Sequence, residues 1–221
     1  MSPNFPNMKT YADLLADTEN TWDYPDDEDS YIDPRYVDGE EVEYEIIFGN
    51  DKIVFIKAGA GGSVRGHENK YLKMARRVHE RLGATVICAS NPDVPHEDVD
   101  ESEIRWVIAE KGFFDFEISF VGASDGAYRN LSLVGRFPEA VKWLGINTSY
   151  IELSEFGARL NALPSVSKTL IYGTKDDEID EVVPALSKLE NDKLKVVLVE
   201  GADHSFTGML DEFVASIDNL C

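Results

Sequence analysis

The stretch Phe116–Gly135, FEISFVGASDGAYRNLSLVG, predicts a buried strand that passes almost at once into a helix. Its first residues are apolar and β-prone, which is typical of a strand inside a parallel sheet. Ala127, Leu131 and Val134 then recur at helical spacing. Only a very short turn fits between the two patterns, so the stretch predicts a strand–turn–helix unit of an α/β fold.

The turn of this unit has the pattern GxSxG, formed by Gly122, Ser124 and Gly126. A turn this sharp pushes the serine hydroxyl into the open, and small residues on both sides let strand and helix approach closely. An ordinary turn serine is the alternative, because Gly and Ser are common in turns. The pattern therefore makes Ser124 a candidate nucleophile whose partners must come from elsewhere in the chain.

The rest of the chain alternates predicted strands and helices, which favours a mostly parallel sheet covered on both faces. Two strand-like runs, starting at Val42 and at Ile53, are separated by Gly49-Asn50-Asp51, which predicts a hairpin. A helix follows at 67–82 with Gly83 as its stop, and Asp98 or Asp100 is a candidate cap for the next helix. The expected fold class is a three-layer α/β/α sandwich whose first strand pair is antiparallel. The remaining predicted elements are strands at 85–89, 141–146, 168–172 and 194–199 and helices at 151–163, 181–189 and 206–217.

Residues 1–41 differ from the rest because they hold 12 acidic and two basic residues, with aromatic residues interleaved. We interpret them as an irregular arm whose rings pack on the body while its carboxylates face water. A docking arm for a basic partner and a lid near the active site are the alternatives. Residues 42–221 are expected to form a single domain.

The whole chain of 221 residues carries 42 acidic and 21 basic residues, a net charge of −21. Such a charge repels phosphate backbones and anionic lipids, so nucleic acid and membrane surfaces are not expected partners, and anionic substrates are disfavoured. No leader-like or membrane-spanning segment is apparent, which favours a cytoplasmic protein. Cys88 lies in an apolar run and is expected to be a buried thiol, while Cys221 is expected to be free.

Polar residues follow two of the later predicted strands. Asp176 and Asp177 come just after the strand at 168–172, and His204 comes after the strand at 194–199. In a parallel sheet, ligand sites lie beyond the carboxyl ends of the strands. A serine hydroxyl needs a histidine to take its proton, and the histidine needs a carboxylate on its other ring nitrogen. The order Ser124, acid, His204 therefore predicts a catalytic triad, with Asp176 preferred to Asp177 as the acid.

From about Val42 to Leu220 the chain resembles the α/β-hydrolase family, through the glycine-rich loop Gly59-Ala60-Gly61-Gly62 and the motifs GASDG, GTKD and GADHSF. The resemblance implies that Ser124 is the nucleophile, His204 the general base and Asp176 the acid. It also implies an oxyanion hole made by the backbone N–H groups of Ala60 and Asp125.

Two positions depart from the family pattern. Ala58 stands where many members carry histidine before the glycine loop, which leaves backbone donors unaffected. Asp125, directly after Ser124, is charged where uncharged side chains are common. Its carboxylate is expected either to point away from the oxyanion or to hold a cationic substrate group.

The segment from Asn147 to Ser167 leaves room for one helix, so no full cap domain is expected over the site. An open site suits a small carboxylic ester, cleaved through an acyl-enzyme intermediate. No cofactor is expected, because the glycine loop lacks the GK[ST] ending of a phosphate loop and His67, His79 and His96 lack metal-ligand spacing. The alternatives are a thioesterase, peptidase or lyase using the same triad, and a binding or scaffold protein that keeps the fold without turnover.

Overall fold

The computed structural model describes residues 9–10, 30–149, 152–186 and 193–220. Within them lie nine strands: β1 Lys9–Thr10, β2 Ser30–Val37, β3 Glu40–Ile47, β4 Asn50–Lys57, β5 Ala84–Ala89, β6 Glu117–Ala123, β7 Ala140–Ile146, β8 Ser167–Gly173 and β9 Leu194–Val199. Six α-helices accompany them: α1 Lys70–Leu82, α2 Glu97–Lys111, α3 Asp125–Val134, α4 Leu153–Asn161, α5 Ile179–Leu186 and α6 Leu210–Ala215. Short 3₁₀ turns occupy His67–Asn69 and Ser216–Leu220.

The strands form one sheet in the order β1-β2-β3-β5-β4-β6-β7-β8-β9. The pairs β1–β2, β2–β3 and β3–β5 are antiparallel, and every pair from β5–β4 to β8–β9 is parallel. Alternate residues of the central strands enter two separate apolar cores, as a strand buried on both faces requires. One core is closed by α2–α5 through side chains that include Ile104, Leu131, Phe156 and Val182. The other is closed by α1 and α6 through side chains that include Met74, Val78 and Phe213. The predicted fold class is confirmed.

The predicted hairpin around Gly49-Asn50-Asp51 is wrong. β5 lies between β3 and β4 and pairs with both, so the two strands that flank this turn are not neighbours. The turn binds the start of β5 instead: the Asn50 N–H donates to the Gly83 carbonyl at 2.7 Å, and the Gly49 N–H donates to the Thr85 hydroxyl at 3.0 Å. A Cβ on Gly49 would lie 2.2 Å from the Gly83 oxygen, so this glycine reflects close packing against another strand. The sequence pattern of β3 and β4 does not reveal that β5, about 35 residues further along the chain, lies between them.

Part of the predicted irregular arm is also a strand. β2 pairs antiparallel with β3 along eight residues, from Ser30 against Ile47 to Val37 against Glu40. Its acidic residues hid the pattern, because Asp33 is buried beside Arg35 rather than facing water. Of the rest of the arm, Lys9–Thr10 forms β1, and residues 38–41 form the turn after β2 and the start of β3. Residues 1–8 and 11–29 lie outside the described residues, as does Cys221. The division into an arm and one domain stays a prediction.

Helix α2 begins earlier than either proposed cap would place it. The capping position is His96, and Asp98 and Asp100 lie inside the first turn. Asp100 turns into the core, where it meets the ammonium of Lys57. The stop at Gly83, in contrast, is confirmed, since Gly83 has a left-handed φ of 63° at the end of α1. Cys88 is buried, as predicted.

Candidate active site

Ser124 lies between β6 and α3 with φ 51° and ψ −128°, a backbone conformation that costs a non-glycine residue energy. Both neighbouring glycines are required by close packing. A Cβ on Gly126 would lie 2.0 Å from the Ala58 carbonyl oxygen, and one on Gly122 would lie 2.5 Å from the backbone of Ala127. The turn is therefore held in its strained form by β4 on one side and by its own helix on the other.

The structure brings together the three residues predicted to form a triad. The Ser124 Oγ lies 3.0 Å from His204 Nε2, and the Asp176 Oδ2 lies 2.7 Å from His204 Nδ1. Asp176 is buried, whereas the side chain of His204 is 42% exposed, so the histidine stands between a buried carboxylate and open solvent. Asp177, the alternative acid, is exposed and makes no hydrogen bond to His204 in the described residues.

Asn147, which directly follows β7, links the loops of the acid and of the histidine. Its amide nitrogen donates to the carbonyls of Asp203 and His204 at 3.0 and 2.8 Å, and its amide oxygen accepts the Gly173 N–H at 2.8 Å. Asn147 is buried and has a φ of 42°. Its side chain fixes the loop of Asp176 and the loop of His204 relative to each other through these three hydrogen bonds. Sequence reasoning missed this residue, although an asparagine directly after a buried strand was a usable signal.

Ser149 is a second residue that the sequence patterns did not single out. Its hydroxyl lies 2.9 Å from the Ser124 Oγ, so the candidate nucleophile has two hydrogen-bonding neighbours, His204 and Ser149. Ser149 belongs to the polar segment after β7, at the same edge of the sheet as the other site residues. The rule that directs attention to strand ends would have found it.

The glycine loop after β4 faces Ser124 and is fixed by three of its N–H groups. Gly59 donates to the Tyr71 hydroxyl at 3.0 Å, Gly61 to the Asn91 carbonyl at 2.8 Å and Gly62 to the Gly59 carbonyl at 2.9 Å. Burial raises the pKa of Tyr71 to about 12, so its hydroxyl stays protonated near neutral pH. The N–H of Ala60 forms no hydrogen bond within the described residues.

Asp125 contributes the other N–H predicted for the oxyanion hole, at the first position of α3. The first N–H groups of a helix have no partner inside it, so this group is available to a ligand. The Asp125 carboxylate lies 2.6 Å from Arg129 Nε and accepts the amide of Asn91 at 3.0 Å. Of the two expectations for this carboxylate, its pairing with Arg129 and Asn91 favours the one in which it points away from the oxyanion.

A cavity of about 250 Å³ opens beside Ser124 and His204. It is lined by Gly59, Ala60, Gly62, Gly66, His67, Lys70, Tyr71, Ala123, Ser124, Ile146, His204, Ser205 and Phe213. The described residues contain no cluster of three or more His, Cys, Asp or Glu side chains that would suit a metal ion. His79 and His96 bond backbone carbonyls through Nδ1, at Ala84 and Val94 respectively, while His67 is exposed on the cavity wall.

The described part of the connection between β7 and β8 contains the single helix α4. None of the helices in the described segments is both long and apolar enough to cross a membrane.

No protein-family model matches this chain, and no curated protein sequence does. Solved structures match over most of its length. A protein of unknown function from Agrobacterium tumefaciens aligns with a TM-score of 0.68 and 19% identity, covering 86% of this chain and 94% of that one. The chain has the α/β-hydrolase fold.

Two further structures with this α/β-hydrolase fold carry more specific descriptions. A serine hydrolase without a lid from Xanthomonas campestris aligns with a TM-score of 0.61 and 18% identity, over 86% of this chain and 93% of its own. The esterase domain of a Rhodothermus marinus protein aligns with a TM-score of 0.60 and 11% identity, over 85% of this chain and 95% of its own. At identities of 11–19%, these structural matches establish the fold and no more than the fold.

Proposed function

We propose that this protein is a serine hydrolase that cleaves small carboxylic esters through an acyl-enzyme intermediate. The observation that carries the proposal is the unbroken hydrogen-bonded series from Asp176 through His204 to Ser124, which ends in a hydroxyl at the wall of a cavity. The geometry fits general-base activation, because both nitrogens of one imidazole are engaged, one by a carboxylate and one by a serine.

In the proposed reaction, the Ser124 Oγ attacks the carbonyl carbon of the ester while His204 Nε2 accepts the hydroxyl proton. The N–H groups of Ala60 and Asp125 stabilise the oxyanion that forms on the carbonyl oxygen. The carbon–oxygen bond to the alcohol then breaks, and His204 returns its proton to the departing alcohol. Water repeats the sequence on the acyl-enzyme, which releases the acid and restores Ser124.

Two solved structures with the same fold are described as an esterase domain and as a serine hydrolase, which supports this class of reaction. The open cavity and the single helix between β7 and β8 support a small substrate rather than one enclosed by a cap domain.

Labelling with a fluorophosphonate tests the proposal, because only an activated serine reacts readily with it. We expect a single adduct on Ser124 by peptide mass spectrometry, no labelling of Ser124→Ala, and normal labelling of Ser132→Ala. Ser132 is a matched control on the same helix, where its hydroxyl bonds the Arg129 carbonyl outside the cavity.

Absence of labelling in the folded wild-type protein would contradict the proposal and favour a binding or scaffold role for the fold. If Ser124 is labelled, a panel of matched aryl ester, thioester and peptide substrates distinguishes an esterase from a thioesterase or peptidase. We expect the aryl ester to be turned over fastest.

A further inference from the structure

The cavity beside Ser124 has a charge opposite to that of the protein as a whole. The chain has twice as many acidic as basic residues. Yet no Asp or Glu is among the described residues that line this cavity, and Lys70 is its one permanently cationic side chain. The net charge of −21, which disfavours anionic substrates at long range, therefore does not describe the surface that a substrate would touch.

Lys70 is the first residue of α1, and its ammonium rests on aromatic rings. The Nζ lies 4.5 Å from the centre of the Phe213 ring and 5.3 Å from that of Tyr71. Both rings are buried and pack edge to face at 5.8 Å, so they form a fixed support. Ring faces attract a cation without using its N–H donors, which remain available to a ligand.

No carboxylate lies within ion-pair distance of Lys70 in the described part of the chain. Burial lowers the pKa of the Lys70 ammonium, and no neighbouring carboxylate opposes that effect. A half-buried ammonium is stabilised by an anionic partner, and the described residues provide none at Lys70. Lys70 is thus a cation with no carboxylate partner among the described residues. It rests on a rigid aromatic support and lies on the cavity wall that also carries Ser124 and His204.

We infer that Lys70 binds a carboxylate carried by the substrate, so that the preferred esters are monoesters of dicarboxylic acids. The inference rests on the proposed hydrolase function and names the substrate class of that site. The scissile ester would lie at Ser124 while the free carboxylate reaches the ammonium of Lys70.

An adjoining groove of about 330 Å³ shares Lys70, His67, Ser205 and Phe213 with the cavity, so a chain longer than the cavity has space to continue past the ammonium. One carboxylate, that of Glu68, lines this groove. Glu68 is exposed and makes no ion pair with Lys70 among the described contacts.

The experiment compares 4-nitrophenyl adipate, which keeps a free carboxylate, with its methyl-capped counterpart of the same acyl length. For the wild-type protein we expect kcat/KM to favour the free carboxylate by about tenfold or more, since a hydrogen bond to a charged group contributes at least that much. Lys70→Met should remove this preference mainly through KM, and added salt should weaken it in the wild type.

Lys111→Met is the matched control. Lys111 also places its ammonium over an aromatic ring, 3.7 Å from the centre of Phe48, but it does not line the cavity. The control loses the same charge and the same type of contact, and the preference should survive. Equal kcat/KM values for the two esters in the wild type, or a preference that survives Lys70→Met, would overturn the carboxylate site while leaving the hydrolase proposal intact.

Failure of both esters to be hydrolysed would instead count against the proposed function. The carboxylate site is then measured directly, by calorimetric titration of adipate into Ser124→Ala protein. Binding that is lost in Ser124→Ala/Lys70→Met but kept in Ser124→Ala/Lys111→Met supports the site, and equal binding by all three proteins overturns it.

Discussion

Two sets of hydrogen-bonded charged side chains among the described residues differ in their access to solvent: one lies at the carboxyl edge of the sheet, and the other is buried beneath α2. At the edge, a buried carboxylate holds His204, whose side chain is 42% exposed beside a cavity. Inside, between the first strands and α2, the Lys57 ammonium lies 2.9 and 2.8 Å from the two oxygens of Asp100, and neither side chain is more than 1% exposed. Tyr44 donates to the same carboxylate at 2.7 Å, and Arg35 donates to Glu103 nearby at 2.9 Å.

The interior set shows that a shifted pKa does not by itself mark a catalytic residue. Burial lowers the pKa of Lys57 and raises the pKa values of Tyr44 and Glu103, in each case as the largest cause. None of these three residues lines the cavity beside Ser124. Shifted pKa values are a useful marker of active sites only together with access and a reacting group. The interior set therefore holds β2, β3, β4 and α2 together, while the edge set can meet a substrate.

Asp176→Asn breaks the edge set and should have the largest effect on turnover. An amide cannot hold the histidine in the required tautomer or stabilise the imidazolium, so we expect kcat for an aryl ester to fall by roughly 10⁴-fold. Asp177→Asn is the matched control, because this neighbour is exposed and makes no hydrogen bond to His204 among the described residues. Steady-state kinetics of both variants test the assignment. Comparable losses in the two would contradict the choice of Asp176.

Lys57→Met breaks the interior set and should act on stability. Removal of one partner of a buried ion pair leaves the other charge uncompensated, at a cost of about 3–5 kcal/mol. Urea denaturation measures the change. The double variant Lys57→Met/Asp100→Leu should recover part of the loss, since it leaves no buried charge without a partner. A single variant that loses less than about 1 kcal/mol would contradict this account of the buried pair.

The residues that meet at the carboxyl edge of the sheet were more predictable from the sequence than the order of its strands. Ser124, Asp176 and His204 each follow a strand with a clear apolar pattern, so the rule for parallel sheets was enough to predict that they meet. The insertion of β5 between β3 and β4 has no signal in the local sequence, because it depends on how well β3 pairs with β5 compared with how well it would pair with β4. Local patterns predict elements, and strand order is decided by packing between distant parts of the chain.

The interior set was not predictable for a related reason. Asp33, Asp100 and Glu103 look like surface residues in a very acidic chain, and Asp100 was a candidate helix cap. The two acids of α2 meet cations brought from strands, Glu103 from Arg35 of β2 and Asp100 from Lys57 of β4. Asp33 pairs with Arg35 on its own strand. Asn91 was missed similarly, since a buried amide that links loops has no characteristic spacing along the sequence.

Glu103 makes the interior set sensitive to pH. Burial raises its pKa from 4.5 to about 7, and the nearby Arg35 only partly opposes this. Because the folded-state pKa lies above the unfolded value, the stabilising contribution of protonated Glu103 is fully present below pH 4.5 and is lost as the pH rises through about 7. The free energy of unfolding, measured from pH 5 to pH 8, should therefore fall less with rising pH in Glu103→Gln than in the wild type.

Glu110→Gln is the control for this measurement, since Glu110 is exposed on the same helix and should leave the pH dependence as it is in the wild type. Identical pH dependence in Glu103→Gln and the wild type would show that this carboxyl does not titrate differently on folding.

Asn91 joins the two halves of the proposed oxyanion hole, and its removal should have the smallest of these effects. Its carbonyl accepts the Gly61 N–H at 2.8 Å, and its N–H donates to the Gly62 carbonyl at 2.9 Å. Its side-chain amide donates to the Asp125 carboxylate at 3.0 Å. Asn91→Ala keeps the backbone bonds and loses the amide, so we expect kcat to fall about tenfold with little change in KM.

A double-mutant cycle with Asp125→Ala separates positioning of the oxyanion hole from a general loss of structure. Asp125→Ala keeps the backbone N–H but loses the carboxylate that Asn91 holds. If the two side chains act through their shared hydrogen bond, the double variant should lose little more than the worse single variant. Losses that simply add would mean that each residue supports the site separately and would contradict positioning through their shared hydrogen bond.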